Sequence, residues 1–152
     1  MHRITGRVAA FLACVVVAGA VTAAPKKSED NVKIAVKADK PVDGKQVVTL
    51  TLDVAKGWHA YANPVGHVDL TDVQTVVTFS AGGKTVPAKV EYPAGKLVKD
   101  NVIGEYKVYE GTVTIKATID RPADGSVEAT VKFQTCTETM CLLPSTVKVK
   151  VE

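Results

Sequence analysis

The chain has 152 residues with 19 basic and 16 acidic side chains, so its formal charge at pH 7 is only +3. This length suits one domain and excludes a multidomain enzyme. The basic residues form no block along the sequence. Because proteins that bind nucleic acid or anionic membranes need a concentrated positive surface, we expect neither kind of partner.

Residues 1–23 have the three regions of an export signal. Arg3 and Arg7 give a basic start, a run of 14 uncharged apolar residues follows, and small residues precede Ala24. The apolar run is shorter than the ~20 residues that a helix needs to cross a bilayer. We therefore expect cleavage after Ala23, which leaves 17 of the 19 basic side chains against 16 acidic ones. The product should be soluble and located in the periplasm or another exported compartment.

Strands should dominate the mature chain, which contains 22 Val and 14 Thr but only 6 Leu. Branching at Cβ favours pleated strands over helices. Period-two alternation predicts strands at Val32/Ile34/Val36, Val48/Leu50/Leu52/Val54, Val113/Ile115/Ala117/Ile119, Val127/Ala129/Val131/Phe133 and Val147/Val149/Val151. Further strands are predicted over residues 75–79 and 85–92 and from residue 107, with Gly- and Pro-rich turns between them.

About eight short strands, each with one apolar face, predict an all-β, immunoglobulin-like antiparallel β-sandwich. A closed β-barrel is the alternative architecture. We expect residues 31–152 to form this domain, with residues 24–30 as a polar tail left after cleavage. Two segments do not fit the strand pattern, namely residues 57–64 and residues 99–104. Because loops on a rigid sandwich often carry function, both are candidate site elements.

Two cysteines, Cys136 and Cys141, remain after cleavage, separated by four residues in a compartment that we expect to be oxidising. A disulfide between them would close a ring of about six residues, which stabilises a fold by only roughly 2 kcal/mol in the chain-entropy model. A redox-active pair is therefore favoured, while a structural bridge and a metal site remain open. The third cysteine, Cys14, lies in the export signal, where a lipid anchor is the alternative to simple signal sequence.

A metal site would need more ligands than these two thiolates. Met140, His59 and His67 could join the cysteines around a soft ion such as copper(I). A zinc site normally has a second close-spaced pair of ligands, which this sequence lacks. The sequence also has no hydrolase motif and no phosphate-binding glycine loop. We therefore expect no metal and no cofactor.

Thiol–disulfide exchange needs an attacking thiolate and a nearby sulfur that resolves the mixed disulfide. The cysteine pair supplies both. Glu138 lies between the cysteines and no Lys or Arg does, so the local charge should keep the thiols protonated. We therefore predict a slow exchange protein whose reactivity depends on its partner. A solvated loop charge is the alternative interpretation of Glu138.

Several segments of the mature chain form a recognisable pattern. Phe133-Gln134-Thr135-Cys136 precedes Cys141-Leu142-Leu143-Pro144-Ser145-Thr146 and an alternating terminal strand, and the earlier segments are Gly57–Tyr61, Val90–Pro93 and Asp100–Gly104. Together they resemble the N-terminal periplasmic domains of the thiol:disulfide interchange protein DsbD over most of the mature chain. The resemblance implies an immunoglobulin-like domain that receives electrons from a thioredoxin-like domain. It would pass them to periplasmic thiol oxidoreductases such as disulfide isomerases and cytochrome c maturation factors.

The resemblance also assigns roles to individual residues. Cys136 and Cys141 match the catalytic redox pair, and Cys141 matches the cysteine that bonds to partners. Tyr61 matches a tyrosine that lines the site, and Asp100 matches an acidic residue near the pair.

A cap loop over the disulfide is implied in the same way. Its residues are Asp100, Asn101, Val102, Ile103 and Gly104. Val102 and Ile103 stand where the best-known member has an aromatic cap, so this smaller aliphatic cap is expected to shield the sulfurs less completely.

The expected partners follow from the family's domain order. The best-known members continue into a membrane-spanning electron carrier and a thioredoxin-like domain, whereas this chain ends at Glu152. We therefore expect a monomeric domain whose donor and acceptors are separate thioredoxin-like proteins, with a separate membrane electron carrier among the candidate donors. Its activity would be that of a protein-disulfide reductase. The alternative is a noncatalytic exported binding module that keeps the disulfide for rigidity.

Overall fold

The computed structural model describes residues 26–152, so the predicted export signal and Cys14 lie outside the described residues. The described residues contain twelve β-strands and two short 3-10 helices. The strands are β1 (Val32–Ala38), β2 (Lys45–Val54), β3 (His59–Tyr61), β4 (Val76–Ala81), β5 (Lys84–Val86), β6 (Ala88–Glu91), β7 (Lys96–Asp100), β8 (Gly104–Tyr109), β9 (Thr112–Asp120), β10 (Val127–Phe133), β11 (Thr135–Cys136) and β12 (Ser145–Val151). The helices are Ser28–Asn31 and Val68–Val73. Within residues 26–152, no helix is long and apolar enough to cross a membrane.

The strands form three four-stranded sheets in which neighbouring strands are antiparallel. Their strand orders are β1-β2-β9-β6, β12-β10-β4-β5 and β11-β3-β8-β7. The first two sheets share one hydrophobic core, which confirms the predicted all-β antiparallel sandwich. The third sheet, which we call the site sheet, has its own smaller core and carries Cys136 on its edge strand β11.

The long strands β2, β9 and β10 supply most of the main core. Leu50, Leu52, Ile115, Val131 and Phe133 are fully buried. As the period-two alternation predicts, the apolar members of each set lie inside and the residues between them are at least partly exposed. Burial of a side chain of this size stabilises the fold by about 1.5–3 kcal/mol. These three strands therefore contribute most to the stability of the sandwich that supports the site sheet.

The structure has more strands than the predicted eight because one predicted strand divides and the site sheet adds β3, β7 and β11. Residues 85–92, predicted as one strand, split at Pro87 into β5 and β6. β5 pairs with β4 and β6 pairs with β9, so the chain crosses from one sheet to the other at this proline. Proline has no N–H to donate to a ladder, while its carbonyl accepts the N–H of Asp120 at 2.9 Å.

The residues before β1 pack against the segment that follows Cys141. The sequence predicts a polar tail over residues 24–30, whereas Ser28 is fully buried. Its hydroxyl donates to the Leu143 carbonyl at 2.7 Å and accepts the backbone N–H of Thr135 at 2.9 Å. Buried polar groups need such partners, so Ser28 ties the N-terminal segment to both sides of the cysteine loop.

Candidate functional site

A short hairpin presents the two cysteines at one edge of the site sheet. β11 pairs with β3, so that Cys136 lies opposite His59. The Thr137 N–H donates to the Met140 carbonyl at 2.8 Å, which closes the loop between the cysteines. Cys136 and Cys141 are cross-strand partners with a Cα–Cα distance of 4.0 Å, and a disulfide of 2.00 Å joins their sulfurs.

The two cysteines differ in exposure. Cys136 is 2 % exposed and packs in the core of the site sheet, whereas Cys141 is exposed. Attack on a disulfide comes along the axis of the sulfur–sulfur bond and depends on access. Cys141 is therefore the more accessible of the two cysteines to an incoming thiolate. This asymmetry supports the role that the resemblance assigns to Cys141.

The Tyr61 hydroxyl lies close to both sulfurs, 3.6 Å from Cys136 Sγ and 3.8 Å from Cys141 Sγ. A disulfide sulfur carries no hydrogen, so the hydroxyl is the donor in these weak contacts. Burial, followed by the neighbouring Tyr106 and the Asp100 charge, raises the pKa of Tyr61 above its ordinary value of 10.0. The phenol therefore stays protonated at neutral pH and remains a donor toward whichever sulfur becomes negative.

The predicted cap loop forms the turn between β7 and β8. One carboxylate oxygen of Asp100 accepts the backbone N–H groups of Ile103 and Val102, both at 2.8 Å. These bonds hold the pKa of Asp100 below its ordinary value of 3.8. Because the pKa is lowered in the folded state, the charged carboxylate stabilises the turn above pH 3.8 and loses that effect as the pH falls through the lowered pKa. Gly104 completes the turn with a φ of 100°, a conformation that favours glycine.

A cleft of about 200 Å³ contains the disulfide. The predicted site residues Tyr61, Asp100, Ile103 and Glu138 line it beside the cysteines, and so do His59 and Tyr106. Glu138 is exposed in the loop between the cysteines. No Lys or Arg of the described chain lines this cleft, so the charge around the sulfurs disfavours a thiolate.

The two aliphatic residues of the cap loop are placed differently. The sequence predicts that both cover the disulfide, but only Ile103 lines the cleft, with 41 % of the residue exposed. Val102 is 93 % exposed, and Asn101 is exposed beside it. Of the two aliphatic residues, only Ile103 therefore borders the cleft that contains the disulfide.

In the copper alternative, Met140, His59 and His67 are the side chains that could join the two thiolates as ligands. Met140 and His59 line the cleft. His67 instead caps the 3-10 helix Val68–Val73, where its Nδ1 accepts the Asp69 N–H at 3.3 Å. Over the described range 26–152, no group of three or more His, Cys, Asp or Glu side chains is arranged to hold a metal ion.

The sequence singles out His59 by name only as a candidate metal ligand, and the structure places it in the cleft that contains the disulfide. Its ring packs edge-on against Tyr61 with 6.2 Å between the ring centroids. Burial lowers the pKa of His59 below its ordinary value of 6.5, although the Glu110 and Glu138 carboxylates act in the opposite sense. The sequence signal that could have found it is its spacing two residues before Tyr61, which places both side chains on one face of a strand.

We predict that the domain stays folded when its disulfide is reduced. The bond closes only a six-residue ring, whose loss removes about 2 kcal/mol in the chain-entropy model. The backbone bonds from Thr137 to Met140 and from Leu142 to Thr135 hold the hairpin without it. Melting temperatures with and without reductant should differ by roughly 5–10 °C. Unfolding on reduction at room temperature would contradict this and make the disulfide structural.

Replacing Ile103 with Gly should speed reduction of the disulfide by a small thiol several-fold, because Ile103 lines the cleft that contains the sulfurs. Val102→Gly is the matched control. It adds the same backbone freedom at the neighbouring exposed position and should leave the rate unchanged. Reduction by dithiothreitol, followed by alkylation and mass measurement, gives both rates. Equal acceleration in both variants would assign the effect to loop flexibility instead of to shielding by Ile103.

Comparison with known protein families shows which family carries this site. Residues 25–152 match the family described as "Thiol:disulfide interchange protein DsbD, N-terminal", which is most of the chain. The chain belongs to the DsbD N-terminal family. Membership confirms the resemblance carried by the cysteine segment. Together with the Cys136–Cys141 disulfide, it identifies thiol–disulfide exchange as the chemistry of this DsbD N-terminal domain.

Solved structures share this fold at low sequence identity. The DsbD N-terminal domain of Neisseria meningitidis in its reduced form aligns with a TM-score of 0.54 at 14 % identity, covering 82 % of this chain and 86 % of that chain. The N-terminal periplasmic domain of ScsB from Proteus mirabilis aligns with a TM-score of 0.57 at 16 % identity over 80 % of this chain, which spans only 45 % of that longer chain.

A third alignment comes from the complex between the DsbD N-terminal and PilB N-terminal domains of Neisseria meningitidis. Its TM-score is 0.53 at 13 % identity, covering 77 % of this chain and 80 % of that chain. At these identities the alignments show a common fold. No curated protein matches the sequence.

Proposed function

We propose that this domain carries electrons from a thioredoxin-like donor to periplasmic thiol oxidoreductases by alternating between the Cys136–Cys141 disulfide and the dithiol. The observation that carries the proposal is the position of the bond in a surface cleft, with Cys141 exposed and Cys136 buried. A solved structure of the same fold supports the proposal that the partner is a protein, since in it the DsbD N-terminal domain of Neisseria meningitidis forms a complex with the PilB N-terminal domain.

Two exchange steps load the domain with electrons. A donor thiolate attacks Cys141 Sγ, the bond to Cys136 breaks, and Cys136 leaves as a thiolate that is then protonated. The donor's second thiolate attacks the intermolecular bond and releases Cys141, so the donor becomes a disulfide while the domain gains two electrons and two protons. Transfer to an acceptor disulfide runs these steps in reverse, and Cys136 then resolves the mixed disulfide.

Three neighbouring residues would support these steps without bonding to the partner. The Tyr61 hydroxyl would donate to the sulfur that becomes negative. Ile103 would limit access to the sulfurs, and Asp100 would hold the turn that places Ile103 there. Because no basic side chain of the described residues lines the cleft to stabilise a thiolate, exchange would stay slow until a partner binds.

The chain would act after export. Residues 1–23 have the regions of an export signal, and the ScsB domain of the same fold from Proteus mirabilis is described as periplasmic. The intact mass of the secreted protein tests this part of the proposal. Loss of residues 1–23 is expected, whereas a retained N-terminus or a lipid on Cys14 would contradict it.

An electron-transfer assay tests the proposed function. The reduced domain is mixed with an oxidised thioredoxin-like protein, samples are quenched in acid, free thiols are alkylated, and both proteins are analysed by mass spectrometry. We expect one disulfide to form in the domain for each disulfide reduced in the partner. A variant with Ser at both cysteine positions gives the background. Transfer no faster than this background would contradict the proposal and favour a noncatalytic module.

A further inference from the structure

His59 borders the space around the buried sulfur. It is the cross-strand neighbour of Cys136, and directly opposed residues on antiparallel strands share one face with Cβ atoms roughly 5 Å apart. Its imidazole packs against the Tyr61 ring, whose hydroxyl lies 3.6 Å from Cys136 Sγ. His59 and Glu138 also line the two clefts that adjoin the one containing the disulfide.

Cys136 has to lose a proton each time it resolves a mixed disulfide, because only a thiolate attacks. An ordinary free thiol has a pKa of about 8.5, so only about 3 % of it is ionised at pH 7. Cys136 is only 2 % exposed, which limits transfer of its proton to bulk water. A proton acceptor within the cleft would therefore speed this step.

The other titratable side chains of the cleft are poor acceptors. The phenols of Tyr61 and Tyr106 stay protonated because burial raises the pKa of each. The Asp100 carboxylate is engaged by two backbone N–H groups, which hold its pKa below 3.8. Glu138 is exposed to solvent in the loop. The half-buried imidazole of His59 is the remaining base.

We propose that His59 accepts the proton of the Cys136 thiol when Cys136 resolves a mixed disulfide, an inference that rests on the proposed exchange function. The proton moves from Cys136 Sγ to the imidazole, directly or through one water molecule, and the thiolate attacks Cys141 Sγ. A Cys136–Cys141 bond forms, the bond between Cys141 and the partner breaks, and the partner leaves as a thiolate with the electron pair. The imidazolium then returns the proton to that thiolate or to solvent.

The imidazole is neutral at pH 7 and can therefore accept a proton. Burial lowers the pKa of His59 below 6.5 and outweighs the Glu110 carboxylate, which raises it. Glu110 is itself paired with Lys96 at 2.8 Å. The charged side chains that line the clefts around His59 are Asp53, Lys56, Lys96, Asp100, Glu110 and Glu138.

Rapid mixing of the reduced protein with dithiobisnitrobenzoate, an aromatic disulfide, separates the two exchange steps without a protein partner. One coloured thionitrobenzoate is released when Cys141 attacks the reagent, in a phase that speeds up with reagent concentration. A second is released when Cys136 resolves the mixed disulfide, in a phase that is independent of reagent concentration. Only the second phase should depend on His59.

Two variants test the role of the imidazole. His59→Gln keeps a polar side chain that does not titrate, and His59→Phe keeps a ring to pack against Tyr61. Both should slow the second phase at pH 7 by at least about tenfold. Without a proton acceptor, the reaction depends on the roughly 3 % of an ordinary thiol that is ionised at that pH. In the unmodified protein this rate should rise as the imidazole of His59 loses its proton, which happens below pH 6.5, and should then stay constant as the pH increases further. In both variants it should rise about tenfold per pH unit toward pH 8.5.

His67→Gln is the matched control, since it makes the same change at the cap of the 3-10 helix, and it should match the unmodified protein. A second phase with unchanged rate and pH profile in both His59 variants would overturn the assignment of His59 while leaving the exchange function intact. Equal slowing by His67→Gln would also overturn it. If the unmodified protein shows no second phase, the cysteines are not an exchange pair and the proposed function itself fails.

Discussion

Cys136→Ser should trap a thioredoxin-like partner as a covalent complex, whereas Cys141→Ser should trap almost none. Cys141 is exposed while Cys136 is 2 % exposed, and exchange requires in-line access to the sulfur. Each reduced variant is incubated with a thioredoxin-like protein that lacks its resolving cysteine and is activated as a mixed disulfide. Non-reducing electrophoresis then measures the complex.

The variant with Ser at both cysteine positions gives the background for this trapping experiment, and melting curves verify that each variant is folded. Equal trapping by the two single variants would remove the assignment of Cys141 as the partner-bonding cysteine. Trapping by neither would contradict thiol exchange and leave a noncatalytic module.

Phe133→Ala should lower the free energy of unfolding by about 3–5 kcal/mol, through lost apolar burial and the cavity that remains. Phe133 is fully buried at the end of β10, opposite Ser145 of β12. Thr135 begins β11 two residues later, so this ring anchors the strand that continues into Cys136. Urea denaturation followed by the fluorescence of Trp58, the chain's single tryptophan, measures the change.

Leu143→Ala is the control for this stability prediction. Leu143 is 64 % exposed, so removing its side chain should change the free energy of unfolding by less than about 0.5 kcal/mol. Truncation of a buried aromatic side chain costs about 3–5 kcal/mol of stability. If Phe133→Ala lowers the free energy of unfolding by less than about 1 kcal/mol, this would contradict the place of Phe133 in the core.

The sandwich was predictable because its main strands are long enough to show their period. β2, β9 and β10 each alternate over seven to ten residues, and a period of two cannot be mistaken for a helix over that length. The site sheet was not predictable in this way. β3 and β11 span three and two residues, too few to show alternation, so residues 57–64 resembled a loop.

Long-range contacts explain other features that the sequence does not reveal. Ser28 looked like part of a polar tail, and its hydroxyl binds Thr135 at a sequence separation of 107. Gly95 lies just before β7, and a Cβ there would lie 2.5 Å from Cβ of Ala62 and 2.9 Å from Cβ of Lys107. Close packing against the site sheet therefore excludes any larger residue, and no local pattern reports such an approach.

The part of the candidate site whose residues lie close together in the sequence was predictable. The spacing of Cys136 and Cys141 and the segments that flank them were enough to identify the pair. The hydrogen bonds of the Asp100 turn position Ile103 in the cleft and leave Val102 exposed, and the sequence does not specify these bonds. The partnership of His59 with Cys136 depends on strand register.

The reduction potential of the Cys136–Cys141 pair tests the central claim most directly. The protein is equilibrated in thiol–disulfide buffers of known potential, quenched and alkylated, and the reduced fraction is measured by mass. We predict a value between about −270 and −120 mV, the range of thioredoxin-like oxidoreductases with which it would exchange electrons. A potential below about −300 mV, typical of structural disulfides in secreted proteins, would contradict the account.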